Sequence, residues 1–315
     1  MRAVWLTRFG GPEVLVPGDA PEPAVGAGQV LVDVAYANIT FIETQFRASG
    51  KGPFQATLPM IPGNGVGGVV SAVGDGVDRG LVGARVVTAT GGSGGYAERV
   101  VVDASAVFAV PDGLALDDAV ALLADGRTAS MLVAAVELEP GERVLVEAAA
   151  GGVGSLLVQL AKAAGAHVVG AVGGARKAEI ARELGADETV DYRSPDWSRG
   201  LAPVAVVFDG VGGDVSRAAF ELLGRGGRML SFGLAGGSWT TVSAEEAGER
   251  GVTLVRTSPT PDDIRRFTEQ ALAAAAAGRL RPLIGQRFPL EKAADAHAAI
   301  QSRATVGKTL LELPR

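Results

Sequence analysis

The chain has 315 residues, a net charge of −6, no cysteine and two histidines. With 47% hydrophobic and 20% charged residues, it has the profile of a folded protein with a sizeable core, long enough for two domains. Disulfides are excluded, zinc lacks its usual Cys/His ligand set, and scattered basic residues in an acidic chain argue against nucleic acid or an anionic membrane as partner.

Up to about Leu116 the chain shows short β-like runs, "VLVDVAYANI", "GVGGVVSAVG", "GARVVTAT" and "YAERVVVD", separated by Gly, Pro and Asp. That pattern predicts a small β-rich domain. The start, "MRAVWLTRFGGPEV", has no signal-peptide core, and no run of about 18 apolar residues suggests a membrane span, so the expected location is the cytoplasm. From Asp117 the pattern changes. "DDAVALLADGRTASMLVAAVEL" reads as a helix, and six strand-like runs follow: Val144–Val146, Val168–Val172, Glu188–Asp191, Val204–Asp209, Met229–Phe232 and Val252–Val255. Amphipathic stretches lie between them, so the spacing predicts βαβ units and a doubly wound, six-stranded parallel sheet of the Rossmann type. Beyond Arg256, "TPDDIRRFTEQALAAAAAGRL" reads as helix, and the mixed tail is expected to return to the first domain. The expected division is 1–118 together with 257–315, and 119–256. His167 and His297 read as structural residues, and no G-x-S-x-G elbow supports a serine hydrolase. The chemistry is therefore assigned to a bound organic cofactor.

The strand "RVLVEA" runs into Gly151, Gly152, Val153 and Gly154, and the helix "VGSLLVQLAKAAG" follows. This is the dinucleotide fingerprint with Ala149 in place of its first glycine: Gly151 admits a pyrophosphate to the backbone, the helix N-terminus faces it, and Gly154 lets the helix lie close to the strand. An NAD site usually has an acid at the end of the next strand to bind the ribose hydroxyls. Here "HVVGAV" ends in Gly173, Gly174, Ala175, Arg176 and Lys177. Small residues leave room for a 2′-phosphate, and two cations beside it suit charge-assisted hydrogen bonds. The cofactor expected is NADPH.

These segments resemble the zinc-independent medium-chain dehydrogenase/reductases, in particular the NADPH:quinone oxidoreductase and zeta-crystallin branch. The likeness runs through "MRAVWLTRFGGPEVL", "AAAGGVGSLLVQLAKAAGA", "RELGADETVDYR", "VVFDGVGG", "GRGGRMLSFG" and "FPLEKAADAHAAIQSRATVGK", in family order. It implies a GroES-like catalytic domain made from both ends of the chain, a central Rossmann domain, and a homodimer. It also implies that Lys177, Tyr192 and Arg303 contact the 2′-phosphate, that Thr128 lies near the nicotinamide, and that Val211, Phe232, Gly233 and Leu234 line it. The zinc-dependent relatives carry a Gly-His-Glu segment where this chain has Asn64 and Gly65.

For the substrate end the resemblance points to "ITFIETQFR". Thr40 replaces the family's asparagine, Glu43 its aspartate and Gln45 its tyrosine, while Arg47 is kept. Thr40, Glu43, Arg47 and Tyr96 are the candidate pocket residues, with solvent, Thr40 or Tyr96 as proton donor. The expected activity is metal-free hydride transfer from NADPH to a small conjugated carbonyl or quinone. Two other uses stay open: a dedicated enoyl or enone reductase of a natural-product pathway, and an NADPH-binding protein with a regulatory or structural role.

Overall fold

The computed structural model describes residues 1–55 and 57–314. In chain order the elements are β1 (Arg2–Leu6), β2 (Leu15–Asp19), β3 (Gln29–Ile39), α1 (Phe41–Ser49), β4 (Gly65–Val73), β5 (Arg85–Ala89), β6 (Arg99–Asp103), β7 (Val107–Ala109) and α2 (Leu116–Val136). They continue with β8 (Arg143–Glu147), α3 (Gly152–Ala163), β9 (His167–Val172), α4 (Ala175–Glu183), β10 (Glu188–Asp191), β11 (Val204–Asp209), α5 (Gly213–Glu221), β12 (Leu223–Ser231), α6 (Ala244–Glu249) and β13 (Thr253–Val255). The chain ends with α7 (Pro261–Ala276), β14 (Ile284–Pro289), α8 (Ala293–Gln301) and β15 (Lys308–Glu312). It forms two compact units, 1–124 with 271–315, and 125–270, so the divisions fall inside α2 and α7.

The first unit is built on a mixed seven-stranded sheet, β14-β15-β3-β4-β5-β7, with β6 also paired to β3. Along β3, Val30, Val32 and Val34 are buried while Asp33 between them is exposed. That is the period-two alternation of a strand with one covered face. These valines join Val66, Val70, Val86, Phe46 and Leu311 in one core.

The second unit carries the six-stranded sheet in the order β10-β9-β8-β11-β12-β13, and every strand pair in it is parallel. Parallel strands are covered on both faces, and Val144, Leu145, Val146, Val206, Val207 and Phe208 are accordingly inaccessible. The order reverses between β8 and β11, which places the ligand-binding edge at the C-terminal ends of these strands. One strand starts before its expected run: β12 begins at Leu223, ahead of Met229. Its pairing with β11 shifts between Val204 and Val206 and resumes at Arg228.

α2 is a long apolar helix. By length and composition it could cross a membrane, although no such run stands out in the sequence. In the fold its side chains Ala119, Val120, Leu122, Leu123, Leu132 and Val136 are buried, as befits a core helix.

Candidate functional site

β8 ends at Glu147, and the turn that follows is closed by Gly151 N donating to Ala148 O at 2.7 Å. α3 then starts at Gly152 with Gly151 as its extended N-cap. A Cβ at Gly154 would stand 2.2 Å from Ala148 O, and one at Gly151 would stand 3.1 Å from the same oxygen. Glycine is therefore needed for α3 to close on the turn. The left-handed backbone falls on Ala148, with φ 49°, and not on Ala149. Hence the missing first glycine costs little: Ala149 is buried, and its methyl packs close against Gly170. Gly151, Gly152, Val153 and Gly154 thus form a cradle at a helix N-terminus, open to a pyrophosphate and suited to its charge.

One strand over, β9 leads into Gly173 and Gly174, the latter at φ 111°. α4 follows, with exposed Arg176 and half-buried Lys177 in its first turn. Tyr192 N donates to Val172 O at 3.0 Å, which sets the ring beside Gly173: a Cβ there would lie 3.3 Å from Tyr192 Oη. The structure therefore brings Gly173, Gly174 and Tyr192 together, with the two cations in the adjoining turn.

Sequence reasoning missed Arg193. Its guanidinium covers Gly174, where a Cβ would come within 2.8 Å of Nη2, and it donates to Asp191 through Nε at 2.9 Å and Nη2 at 2.6 Å. Arg193 holds Asp191 below the usual carboxylate range. The signal was available in the cation that follows Tyr192 directly in "DYR".

Val211 lies in the turn after β11, and Phe232, Gly233 and Leu234 lie in the loop after β12. Phe232 N donates to Asp209 O at 2.8 Å and Gly236 N to Val211 O at 2.6 Å. A Cβ at Gly233 would lie 2.6 Å from Gly210 O. The four residues assigned to the nicotinamide end therefore belong to two loops laced to each other. Thr128 is half-buried on α2. Arg303 sits in the first unit, just past α8, at φ 57°, and its assignment rests on the resemblance.

The substrate candidates all lie in the first unit. Thr40 is the N-cap of α1, and its N–H and hydroxyl donate to Glu43 Oε2 at 2.7 and 2.6 Å. Asn64 N donates to Glu43 Oε1 at 2.9 Å. Arg47 donates to Gly10 O and Thr44 O. Tyr96 Oη stands 2.9 Å from His297 Nε2, with the two rings edge to face.

Glu43, Arg47 and Tyr96 are 5%, 1% and 0% exposed. All three are enclosed, and they brace α1 and the chain around it. Burial pushes the Tyr96 hydroxyl well up, and the Glu43 charge adds to the effect, so the hydroxyl stays protonated. Of the candidates, Thr40 keeps some exposed surface. Burial, and then the positive charge of Arg47, push His297 down to about 3, so it is neutral.

A family model described as "Alcohol dehydrogenase GroES-like domain" matches residues 26–112, and one described as "Zinc-binding dehydrogenase" matches 184–311. Zinc does not fit: the chain has no cysteine, and among the described residues no group of three or more His, Cys, Asp or Glu could hold a metal ion. The chain is 34% identical to a quinone oxidoreductase of Pseudomonas aeruginosa, over 98% of this chain and 99% of that one. It is 32% identical to a 2-haloacrylate reductase of a Burkholderia species, over 98% of each. The crystal structure of Escherichia coli quinone oxidoreductase complexed with NADPH superposes with a TM-score of 0.90 at 31% identity, covering 99% of this chain and 100% of that one. The chain belongs to the quinone oxidoreductase branch of the zinc-independent medium-chain dehydrogenase/reductase family.

Proposed function

We propose that this protein is an NADPH-dependent reductase that transfers hydride to an electron-poor conjugated acceptor: a quinone, enone or enal. The observation that carries this reading is the cradle at Gly151–Gly154 beside a β9 that ends in glycines and cations instead of an acid. Gly151, Gly152, Val153 and Gly154 would receive the pyrophosphate. Gly173, Gly174, Arg176, Lys177 and Tyr192, joined by Arg193, would surround the 2′-phosphate. Thr128, Val211, Phe232, Gly233 and Leu234 would take the nicotinamide end. Bound there, NADPH supplies the hydride.

The rest of the work falls to the chain: holding the acceptor, excluding water and offering polar groups to the oxygen on which charge develops. A conjugated acceptor spreads that charge and needs no Lewis acid, which suits a chain without zinc ligands. The names of the relatives support this choice, since quinones and 2-haloacrylates are both conjugated acceptors. In the first unit Glu43, Arg47, Tyr96 and His297 brace α1 and the chain around it, and Thr40 is the candidate that keeps some exposed surface.

The test is oxidation of NADPH and NADH, followed by absorbance, against benzoquinone, phenanthrenequinone, cyclohexenone, crotonaldehyde and cyclohexanone. Turnover with NADPH and a quinone or enone is expected. Efficient NADH-driven reduction of cyclohexanone would overturn both the cofactor and the acceptor. Lys177→Ala should weaken NADPH about tenfold, the scale of one charge-assisted contact, and leave NADH nearly unchanged. Equal losses for both would remove the 2′-phosphate assignment.

A further inference from the structure

We propose that Glu147 and Asp209 share a single proton, and that this proton fastens the 209–212 turn to the end of β8 in the shape the cofactor needs. Glu147 is then a positioning residue, and this role rests on the NADPH-binding reading above.

The geometry starts from strand register. β8 and β11 are parallel neighbours, with Phe208 opposite Val146, so Asp209 and Glu147 are the next pair, at the ligand-binding edge. Both are 0% exposed. Two ionised carboxylates in contact without water are mutually prohibitive; a pair with one proton between them is stable.

The donors decide which one keeps the charge. Asp209 Oδ1 accepts from Gly212 N at 2.8 Å, and Oδ2 accepts from the hydroxyls of Ser216 at 2.8 Å and Ser231 at 2.6 Å. Glu147 Oε2 accepts from Val211 N at 3.0 Å and the Gly210 N–H also faces this carboxyl, while Oε1 makes no hydrogen bond among the described residues. An oxygen without a donor, on a carboxyl that faces an anion, is where the proton belongs. Burial and the charge of Asp209 both push Glu147 well up. Among the described residues, β9 presents Ala171 in register, α5 presents Ser216, β12 presents Ser231, and α3 has no ionisable side chain before Lys162.

The consequence reaches the cofactor loops. The neutral acid holds Val211 N from below, and the turn it fixes carries Val211 and receives Phe232 and Gly236 through backbone hydrogen bonds. Loss of the proton puts a second negative charge beside Asp209, and the turn must move or the pair must separate. Dinucleotide binding is therefore coupled to protonation of a group that touches no part of the cofactor.

The test compares the wild type with Glu147→Gln and Glu147→Ala. Glutamine keeps an acceptor for Val211 N and presents a permanent N–H to Asp209. Dissociation constants for NADPH and NADH are measured calorimetrically from about pH 6 to about pH 9, with cofactor-free melting at each pH. NADH serves as control because it lacks the 2′-phosphate, which titrates near pH 6. We expect Gln and wild type to bind alike at the acid end. At alkaline pH the wild type should weaken by up to about tenfold per pH unit relative to Gln, the limit for one coupled proton. Ala should be weaker throughout.

Parallel wild-type and Gln curves, or a Gln variant as weak as Ala, overturn the proposal and leave the proposed function standing. A gap in melting that opens with pH, without binding of either nucleotide, overturns the proposed function and the positioning role while the shared proton stands.

Discussion

In the first unit, Glu43 is buried among donors. Thr40 contributes its N–H and hydroxyl, Asn64 its N–H, and Lys308 adds a positive charge. In the second unit, Glu147 is buried beside Asp209 and accepts from Val211 N. Burial raises both side chains, but the neighbours then act in opposite directions: those of Glu43 pull it back towards a carboxylate, while Asp209 drives Glu147 further towards the neutral acid. The same residue type caps a helix among donors in one unit and ties a turn as a proton carrier in the other. Side-chain identity sets the available chemistry; the donor count around each oxygen selects the form. His297 extends the contrast, because the first unit holds its buried imidazole neutral. His297 and Glu147 should therefore cost the fold stability at opposite ends of the pH range.

The largest effect is expected from His297. Its folded pKa of about 3 lies below the ordinary 6.5, so the unfolded chain binds the extra proton between these values. Stability is then full above about pH 6.5 and falls as the pH drops towards 3, by an order-of-magnitude total of several kcal/mol. His297→Gln does not titrate and should flatten that slope in acid-dependent thermal unfolding. An unchanged slope would place the acid sensitivity elsewhere. Next comes Glu43→Gln. Both carboxylate oxygens face donors, so an amide turns one N–H against another at either position. The cost should be about 2 kcal/mol near neutral pH, read from urea unfolding. An unshifted midpoint would mean that Thr40 and Asn64 find other acceptors.

Much of this arrangement was legible before any fold was seen. Strands covered on both faces leave continuous apolar runs, so the six-stranded sheet could be read from Val144–Val146 to Val252–Val255. The T-x-x-E spacing of Thr40 and Glu43 is a helix-start signature, and in the fold the two residues form the capping box of α1. Glu147 and Asp209 were hidden. Each ends an apolar run as a solvated polar residue would, and only the β8–β11 neighbour relation joins them. The left-handed residue of the turn is Ala148, one before the first motif position at Ala149. A motif marks a turn, but backbone angles decide which residue bears it.

Glu147→Gln should reverse the sign found for Glu43→Gln. A raised carboxyl pKa means that the folded state binds the extra proton, so wild-type stability declines as pH rises from the ordinary carboxylate range through the folded pKa. The amide variant lacks this decline and should gain on the wild type by up to about 1.4 kcal/mol per pH unit on the alkaline side. Two glutamate-to-glutamine changes in one chain, one costly and one stabilising, would confirm that neighbours and not burial make the difference. If both are costly at every pH, Glu147 is an ordinary buried anion.

The smallest effect is expected where water takes part. Glu188, at the edge strand β10, accepts from Arg143 through two hydrogen bonds of 2.7 Å and lies 2.7 Å from His167 Nε2. Arg143 first, then His167, holds its pKa at about 2. A depressed carboxyl stabilises the fold above the ordinary range, and the contribution disappears as pH falls through about 2. The Glu188 side chain is 42% exposed, so solvent screens the pair, and Glu188→Gln should cost less than about 1 kcal/mol at neutral pH. Added salt should shrink that cost further while leaving the Glu43→Gln loss unchanged, because screening acts on exposed charges and not on an enclosed carboxylate held by backbone N–H groups. Equal salt dependence for the two variants would mean that water reaches Glu43, and the contrast between buried and exposed carboxylates would have to be redrawn.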